Sequence, residues 1–231
     1  MERRTPWLGY LCVILSAVIF GCMPLGANFL YAQGVTPMTL VFLRNLLSLP
    51  ILALLCQKQG GLRISRGALL ETSLTGFFGC CITPILLFSS YRYLASGMAT
   101  VFHFAYPVIV VLGGLVLREK VQKSALFCAL LCSFGIILLI DPSGAVDPFG
   151  VVLALTSGVA YAVYILLLAH FRHREVSGFR MSFYMAVVCA VCTFFLCLIT
   201  GQMHLPQNAA GWLVAFAFSL TICVGAVVLF Q

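Results

Sequence analysis

Apolar residues gather along this chain into eight long runs, roughly 8–31, 37–56, 69–88, 95–117, 124–140, 149–171, 179–199 and 212–230, with polar and turn-forming residues between them. A helix rises ~1.5 Å per residue, so ~20 apolar residues cover the ~30 Å of a bilayer core. Each run is expected to be a transmembrane helix, and nothing between the runs is large enough to fold separately. The expected fold class is an all-α membrane protein, a polytopic helical bundle of about eight transmembrane helices.

Composition strengthens that reading. The chain is 62% hydrophobic and only 8% charged, with a mean hydropathy of +1.12, whereas a soluble domain is about 25% charged. A water-soluble fold is excluded, and the net charge of +7 is to be read by position along the membrane. Arg3 and Arg4, then Lys58, Arg63 and Arg66, then Arg118, Lys120 and Lys123, then Arg172, Arg174 and Arg180 all fall on one side of the alternating loops. The opposite side holds Arg92, and Arg44 lies inside the second run. Short cytoplasmic loops retain positive charge, so the amino terminus is expected in the cytoplasm of a bacterial inner membrane. The first run is too long for a signal peptide and lacks a small-residue cleavage site, which makes it a retained span.

Most of the eleven cysteines lie within apolar runs, as do Cys80, Cys81, Cys189 and Cys192, and are read as small packing residues. No histidine or second pair completes a zinc site around them.

A weak internal repeat appears at an offset of 141 residues. Gly9 matches Gly150, Ser16 matches Ser157, Phe20 matches Tyr161, Val35-Thr36 matches Val176-Ser177 and Phe42 matches Phe183. The constant offset over two spans is the signal. Residues 1–141 then form a first repeat of five spans, and 142–231 a second, incomplete one of three. An odd number of spans inverts the second copy, the plan of many secondary transporters, whose solute sites lie near the midplane between copies. With a one-residue slip Ile85-Leu86-Leu87-Phe88 matches Val227-Val228-Leu229-Phe230, so partners for the fourth and fifth spans are expected but absent. Either a fragment or a natural eight-span form would account for this.

The stretch from residue 91 to 141 is the most distinctive. It carries Tyr93-Leu94-Ala95-Ser96-Gly97, then Tyr106-Pro107, then Leu117-Arg118-Glu119-Lys120-Val121, and closes on Gly135-Ile136-Ile137-Leu138. In these residues, and in Arg44 early in the second span, the chain resembles the drug/metabolite transporter superfamily, specifically its ten-span EamA type. That resemblance implies an inverted five-plus-five bundle that moves small solutes, and it marks Glu119. The two missing spans are the departure from the pattern.

Several residues are candidates for a solute site. Arg44 in hydrocarbon costs roughly 2.5 kcal/mol or more, so it either anchors a solute carboxylate or snorkels and pairs with backbone carbonyls. His103, at a depth similar to Arg44 when the two runs are laid antiparallel, either couples proton movement or is held by hydrogen bonds within the bundle. Ser16, Asn28, Tyr106, Ser157, Tyr161 and Tyr164, at matching depths, line a cavity or pack helices together. Pro84 and Pro107, with Pro24 and Pro50, interrupt spans one to four and either hinge them or bend them statically. Glu119, with a gating or structural role, is a hairpin-turn residue among Arg118, Lys120 and Lys123. Ala154, Gly158 and Ala162 give the sixth span a close-packing face.

No phosphate loop, metal-ligand spacing or nucleophile–base pair is present, so an enzyme is not expected, nor a cofactor or metal. The expected partners are a small-molecule solute, the lipid bilayer and, as one option, a second copy in a homodimer; nucleic acid is excluded. No span carries a central Asp or Glu, which argues against a proton-for-lipophilic-cation exchanger and for a zwitterionic or anionic solute such as an amino acid or metabolite. The leading expectation is a secondary transporter working by alternating access. Its rival is a truncated or accessory membrane protein with no transport activity of its own.

Overall fold

The computed structural model describes residues 7, 14–15, 18–19, 21–118, 123–139, 146–173 and 175–225. Among them are helices and connecting turns, and no strand. In chain order they are α1 (Met23–Ala32), α2 (Pro37–Lys58), α3 (Arg66–Gly76), a π-helical stretch (Phe77–Ile82) that leads into α4 (Thr83–Ser90), α5 (Ser96–His103), α6 (Tyr106–Val116), α7 (Lys123–Leu139), α8 (Pro148–Ala169), α9 (Gly178–Thr200) and α10 (Ala209–Ser219), which continues into a second π-helical stretch (Leu220–Gly225). Five continuous helical segments among the described residues are long and apolar enough to cross a bilayer: Pro37–Lys58, Arg66–Ser90, Ser96–Val116, Pro148–Ala169 and Gly178–Thr200. The molecule is a polytopic helical membrane protein.

The sequence punctuates these helices as its chemistry requires. Thr36, Ser177, Asp147 and Asn208 cap α2, α9, α8 and α10, each accepting a backbone N–H from the first turn. A helix start leaves such donors without internal partners. Of the four prolines expected to interrupt the first four runs, Pro50 lies inside α2 without ending it, while Pro24, Pro84 and Pro107 each occupy the first turn of a new segment.

The helices form two compact units, Met1–Leu69 with Arg174–Gln231, and Leu70–His173. Each unit draws helices from both sides of residue 141, so the units are not the two sequence repeats.

In the first unit α2 and α9 pack antiparallel. The buried face of α9 is Met185, Ala186, Cys189, Ala190, Thr193 and Cys197, mostly small side chains at helical spacing. Small residues let backbones approach closely, which is how helices associate where lipid removes the hydrophobic drive. Cys56, Cys189 and Cys197 are fully buried here. Polar groups in the seam are satisfied locally: Asn45 Nδ2 donates to the Val41 carbonyl at 2.8 Å and meets Cys189 Sγ at 3.2 Å, and Thr193 donates to the Cys189 carbonyl at 2.6 Å.

Both ends of this pair are clasped. At one, the Thr36 and Thr39 hydroxyls donate to the Gln202 carbonyl at 2.7 and 2.8 Å, and the His204 N–H donates to Thr39 Oγ1 at 3.1 Å. At the other, the Arg180 guanidinium donates to the carbonyls of Arg63 at 3.3 Å and Gln59 at 3.4 Å, and the Tyr184 hydroxyl donates to that of Leu62 at 2.7 Å. Thr39 and Arg180 stand 141 positions apart, as do the caps Thr36 and Ser177. The same interval separates Gly60 (φ +97°) from Gly201 (φ +66°), which follow the two helices in the left-handed conformation that glycine adopts without penalty. Packed on α2 is α10, where the Ser219 hydroxyl donates to the Arg44 carbonyl at 2.6 Å. On its α1 side, Phe218 sits where a Cβ on Gly26 would be only 2.7 Å away.

In the second unit α8 is the spine, contacted by the π stretch, α4, α5 and α6, with α7 against α6. Glycines set the separations. A Cβ on Gly150 would lie 2.8 Å from Tyr93 and Leu94, and one on Gly113 would lie 2.6 Å from Leu166. The predicted packing face of α8 is buried at all three positions, Ala154, Gly158 and Ala162. At one end of α8, Glu71 of α3 accepts the backbone N–H of Arg172 at 3.0 Å and meets His173 Nδ1 at 3.1 Å.

Candidate solute-binding site

The site in the second unit begins with a break in the fourth span. Pro107 has no N–H to offer the carbonyl four residues back, which belongs to His103, and its ring disfavours helical backbone before it. The chain turns at Phe104–Ala105 and restarts at Tyr106. His103, the last residue of α5, is 8% exposed. Its carbonyl oxygen lies directly over Gly158 of α8, where a Cβ would be 2.8 Å away. Absence of a side chain at Gly158 therefore sets how closely the broken span approaches α8.

That approach pairs two side chains from distant parts of the chain. His103 Nδ1 is 2.8 Å from Ser157 Oγ, and the same hydroxyl is 2.6 Å from the Ala154 carbonyl. Around the imidazole stand aromatic rings: Tyr161 at 5.4 Å between centroids, Tyr106 at 5.7 Å and Phe104 at 6.1 Å. Tyr106 and Tyr161 meet edge to face at 4.7 Å, and Tyr161 is 5.4 Å from Tyr164. These separations are contact distances for aromatic pairs, so the rings make one continuous wall. No described side chain contacting the imidazole carries a charge.

Tyr164 is seated by the π-helical stretch. Its ring occupies the space a Cβ on Gly79 would need, and Thr83 donates to the Phe78 carbonyl, five residues back, at 2.8 Å. A π turn widens the helix by one residue per turn and frequently accompanies functional sites. Pro84 follows it directly, at the start of α4. Above the site, in the turn between α4 and α5, the Tyr91 hydroxyl lies 3.3 Å from Thr100 Oγ1. Burial pushes that phenol above its ordinary pKa, so Tyr91 stays neutral.

Of the residues singled out by sequence, His103, Tyr106, Ser157, Tyr161 and Tyr164 are brought together, with Pro84 and Pro107 shaping the segments that hold them. Arg44 and Asn28 belong to the first unit, Arg44 buried on α2 and Asn28 exposed on α1. Ser16 and Glu119 lie outside the described residues. Sequence reasoning passed over Gly79 and the π stretch, for which Pro84 was the sole signal, and the Glu71–His173 contact, whose members lie 102 positions apart.

These residues place a polar–aromatic group at a broken span of a polytopic helical membrane protein. The chain belongs to the EamA-like transporter family, whose model matches residues 7–141, more than half of its length. It is 24% identical over 192 residues to the uncharacterized transporter YcbK of Bacillus subtilis (strain 168), covering 76% of this chain and 59% of that protein. It is 30% identical over 105 residues to an uncharacterized transporter of Archaeoglobus fulgidus (strain ATCC 49558 / DSM 4304 / JCM 9628 / NBRC 100126 / VC-16), covering 45% of this chain and 38% of that protein. The chain thus spans less than two thirds of the length of either relative.

Proposed function

We propose that this protein is a secondary transporter of the inner membrane, with its amino terminus in the cytoplasm, that moves a small organic solute by alternating access. The supporting observation is the charge-free group formed by His103, Ser157, Tyr106, Tyr161 and Tyr164 at the Pro107 break, in a chain that belongs to a transporter family. Broken helices in membranes expose polar backbone where a solute or ion is bound. The aromatic wall supplies apolar contact, and the imidazole and hydroxyls supply hydrogen bonds, which is the composition of a small-molecule site. Arg44, a buried cation on α2 of the other unit, is proposed on its own charge as a carboxylate anchor, and a zwitterionic solute such as an amino acid is the favoured class. The inverted five-span repeat, 1–141 and 142–231, is part of the same reading. It is supported by the 141-residue spacing of the caps Thr36 and Ser177 and of the terminating glycines Gly60 and Gly201.

Reconstitution in proteoliposomes and counterflow of labelled amino acids tests the proposal. Accumulation of one or more solutes, lost in His103→Gln and in Arg44→Gln, is expected. Unchanged accumulation in both variants would refute the assignment of the site.

A further inference from the structure

We propose that Ser157 is a positioning residue that fixes the tautomer of His103, and through it selects a solute carrying a hydrogen-bond donor. The chemistry of one hydroxyl carries the first half. Ser157 Oγ has a single proton and two close partners, the Ala154 carbonyl at 2.6 Å and His103 Nδ1 at 2.8 Å. A carbonyl oxygen only accepts, so the hydroxyl proton goes to Ala154. The contact with His103 is then a hydrogen bond in which Nδ1–H donates to the serine oxygen. In neutral imidazole one nitrogen carries the proton and the other a lone pair, which leaves Nε2 as the acceptor.

The surroundings keep that arrangement in place. Ser157 is fully buried and His103 nearly so, and Gly158 holds the two backbones close enough for the 2.8 Å bond. The groups in contact with the ring from α6 and α8 are Tyr106, Tyr161 and Ser157, with Phe104 from the connecting turn. None of them is a carboxylate that would hold a second proton on the imidazole. Among the described residues Nε2 has no hydrogen-bond partner. The ring therefore presents an acceptor, beside the rings of Tyr106 and Tyr161. The matching solute group is an N–H or O–H donor, an ammonium or a hydroxyl. A carboxylate facing Nε2 would meet a lone pair.

The tautomer stands on the geometry alone; the solute preference rests on the site proposed above. The test separates them. The full chain labelled with 15N-histidine in lipid bilayers, with His103→Gln to assign the signal, is expected to show His103 protonated at Nδ1 and unprotonated at Nε2 at neutral pH. Ser157→Ala is expected to shift the population towards the Nε2–H form, and Ser157→Thr, which keeps the hydroxyl, to restore the Nδ1–H form. An Nε2–H tautomer in the parent protein, or no change in Ser157→Ala, would overturn the positioning role, and the parent spectrum decides the matter even where the alanine variant fails to fold.

The solute arm uses counterflow with an amino acid, the hydroxy acid of the same skeleton and its N-trimethylated betaine. Loss of the donor in the betaine is expected to reduce uptake roughly tenfold; preference for the amino acid assigns an ammonium, preference for the hydroxy acid a hydroxyl. Equal uptake of the betaine would overturn the donor selection. Absence of any counterflow, with the tautomer as expected, would count against the transport reading and the solute preference together while leaving the positioning role standing.

Discussion

Gly158→Ala is the perturbation that most directly probes how the site is built. A Cβ at this position would lie 2.8 Å from the His103 oxygen, 3.6 Å from its carbonyl carbon and 3.7 Å from its Cα. Comfortable contact is about 3.5 Å, so the broken span must retreat by roughly 0.7 Å, and the obstacle is backbone, which cannot rotate away. The same retreat stretches the 2.8 Å bond from His103 to Ser157 to the edge of hydrogen-bonding distance. Overpacking costs about 1–3 kcal/mol, and a lost interhelical hydrogen bond in a membrane protein adds about 0.6 kcal/mol. Replacing a helical glycine by alanine returns up to ~1 kcal/mol, which leaves a net destabilisation of about 1–3 kcal/mol. Gly97→Ala is the matched control, because on α5 its Cβ meets nothing within 4 Å and only the propensity gain applies. Thermal unfolding in detergent, followed by size-exclusion chromatography, is expected to place Gly158→Ala several degrees below the parent and Gly97→Ala at or above it. Equal melting of the two variants would refute the reasoning.

Arg180→Ala removes the guanidinium that holds the Gln59 and Arg63 carbonyls, and limited trypsin digestion is expected to cut after Arg63 several-fold faster than in the parent, with Arg180→Lys intermediate because a lysine lacks the fork that reaches two acceptors. Glu71→Gln weakens the acceptor for the Arg172 N–H and the partner of His173, so hydrogen exchange of the 171–173 amides is expected to rise, while amides within α8 keep their protection. Gly79→Ala places a Cβ in the ring of Tyr164, and a loss of stability as large as that of Gly158→Ala is expected in the same unfolding assay; no loss would show that the π stretch gives way at little cost.

Which parts of this structure were legible in the sequence follows from the range of the forces involved. Five of the eight expected spans, at 37–56, 69–88, 95–117, 149–171 and 179–199, match span-length helices among the described residues. They were readable because they rest on composition summed over ~20 residues. The runs at 8–31 and 212–230 extend outside the described residues, and the run at 124–140 forms the shorter α7. Pro107 announced the break at Phe104–Ala105 because proline acts on its own backbone. The small-residue face of α8 was readable from spacing along one helix. Pairing of His103 with Ser157 was not, since it depends on which faces two spans 54 positions apart turn to each other. The π stretch was hidden for a different reason. Phe77–Ile82 has the apolar composition of any membrane helix, and the signal for widening lies in the fit of Tyr164 against Gly79. Arg180 was visible as a charge that orients the chain, but its hold on the 59–63 turn emerges only once α2 and α9 are laid antiparallel. Conversely, the 141-residue offset, faint in apolar side chains, is sharper at helix ends, where Thr36 with Ser177 and Gly60 with Gly201 answer the demands of backbone termination.

The imidazole at the broken span is the group through which we propose that this chain contacts a transported solute. Counterflow in proteoliposomes, with a panel of labelled amino acids and related metabolites presented to the parent protein and to His103→Gln of matched folded yield, tests that contact most directly. The parent is expected to accumulate at least one solute of the panel, and His103→Gln to lower its accumulation at least tenfold, a loss worth about 1.4 kcal/mol of interaction. Accumulation undiminished in the variant would contradict the proposed contact.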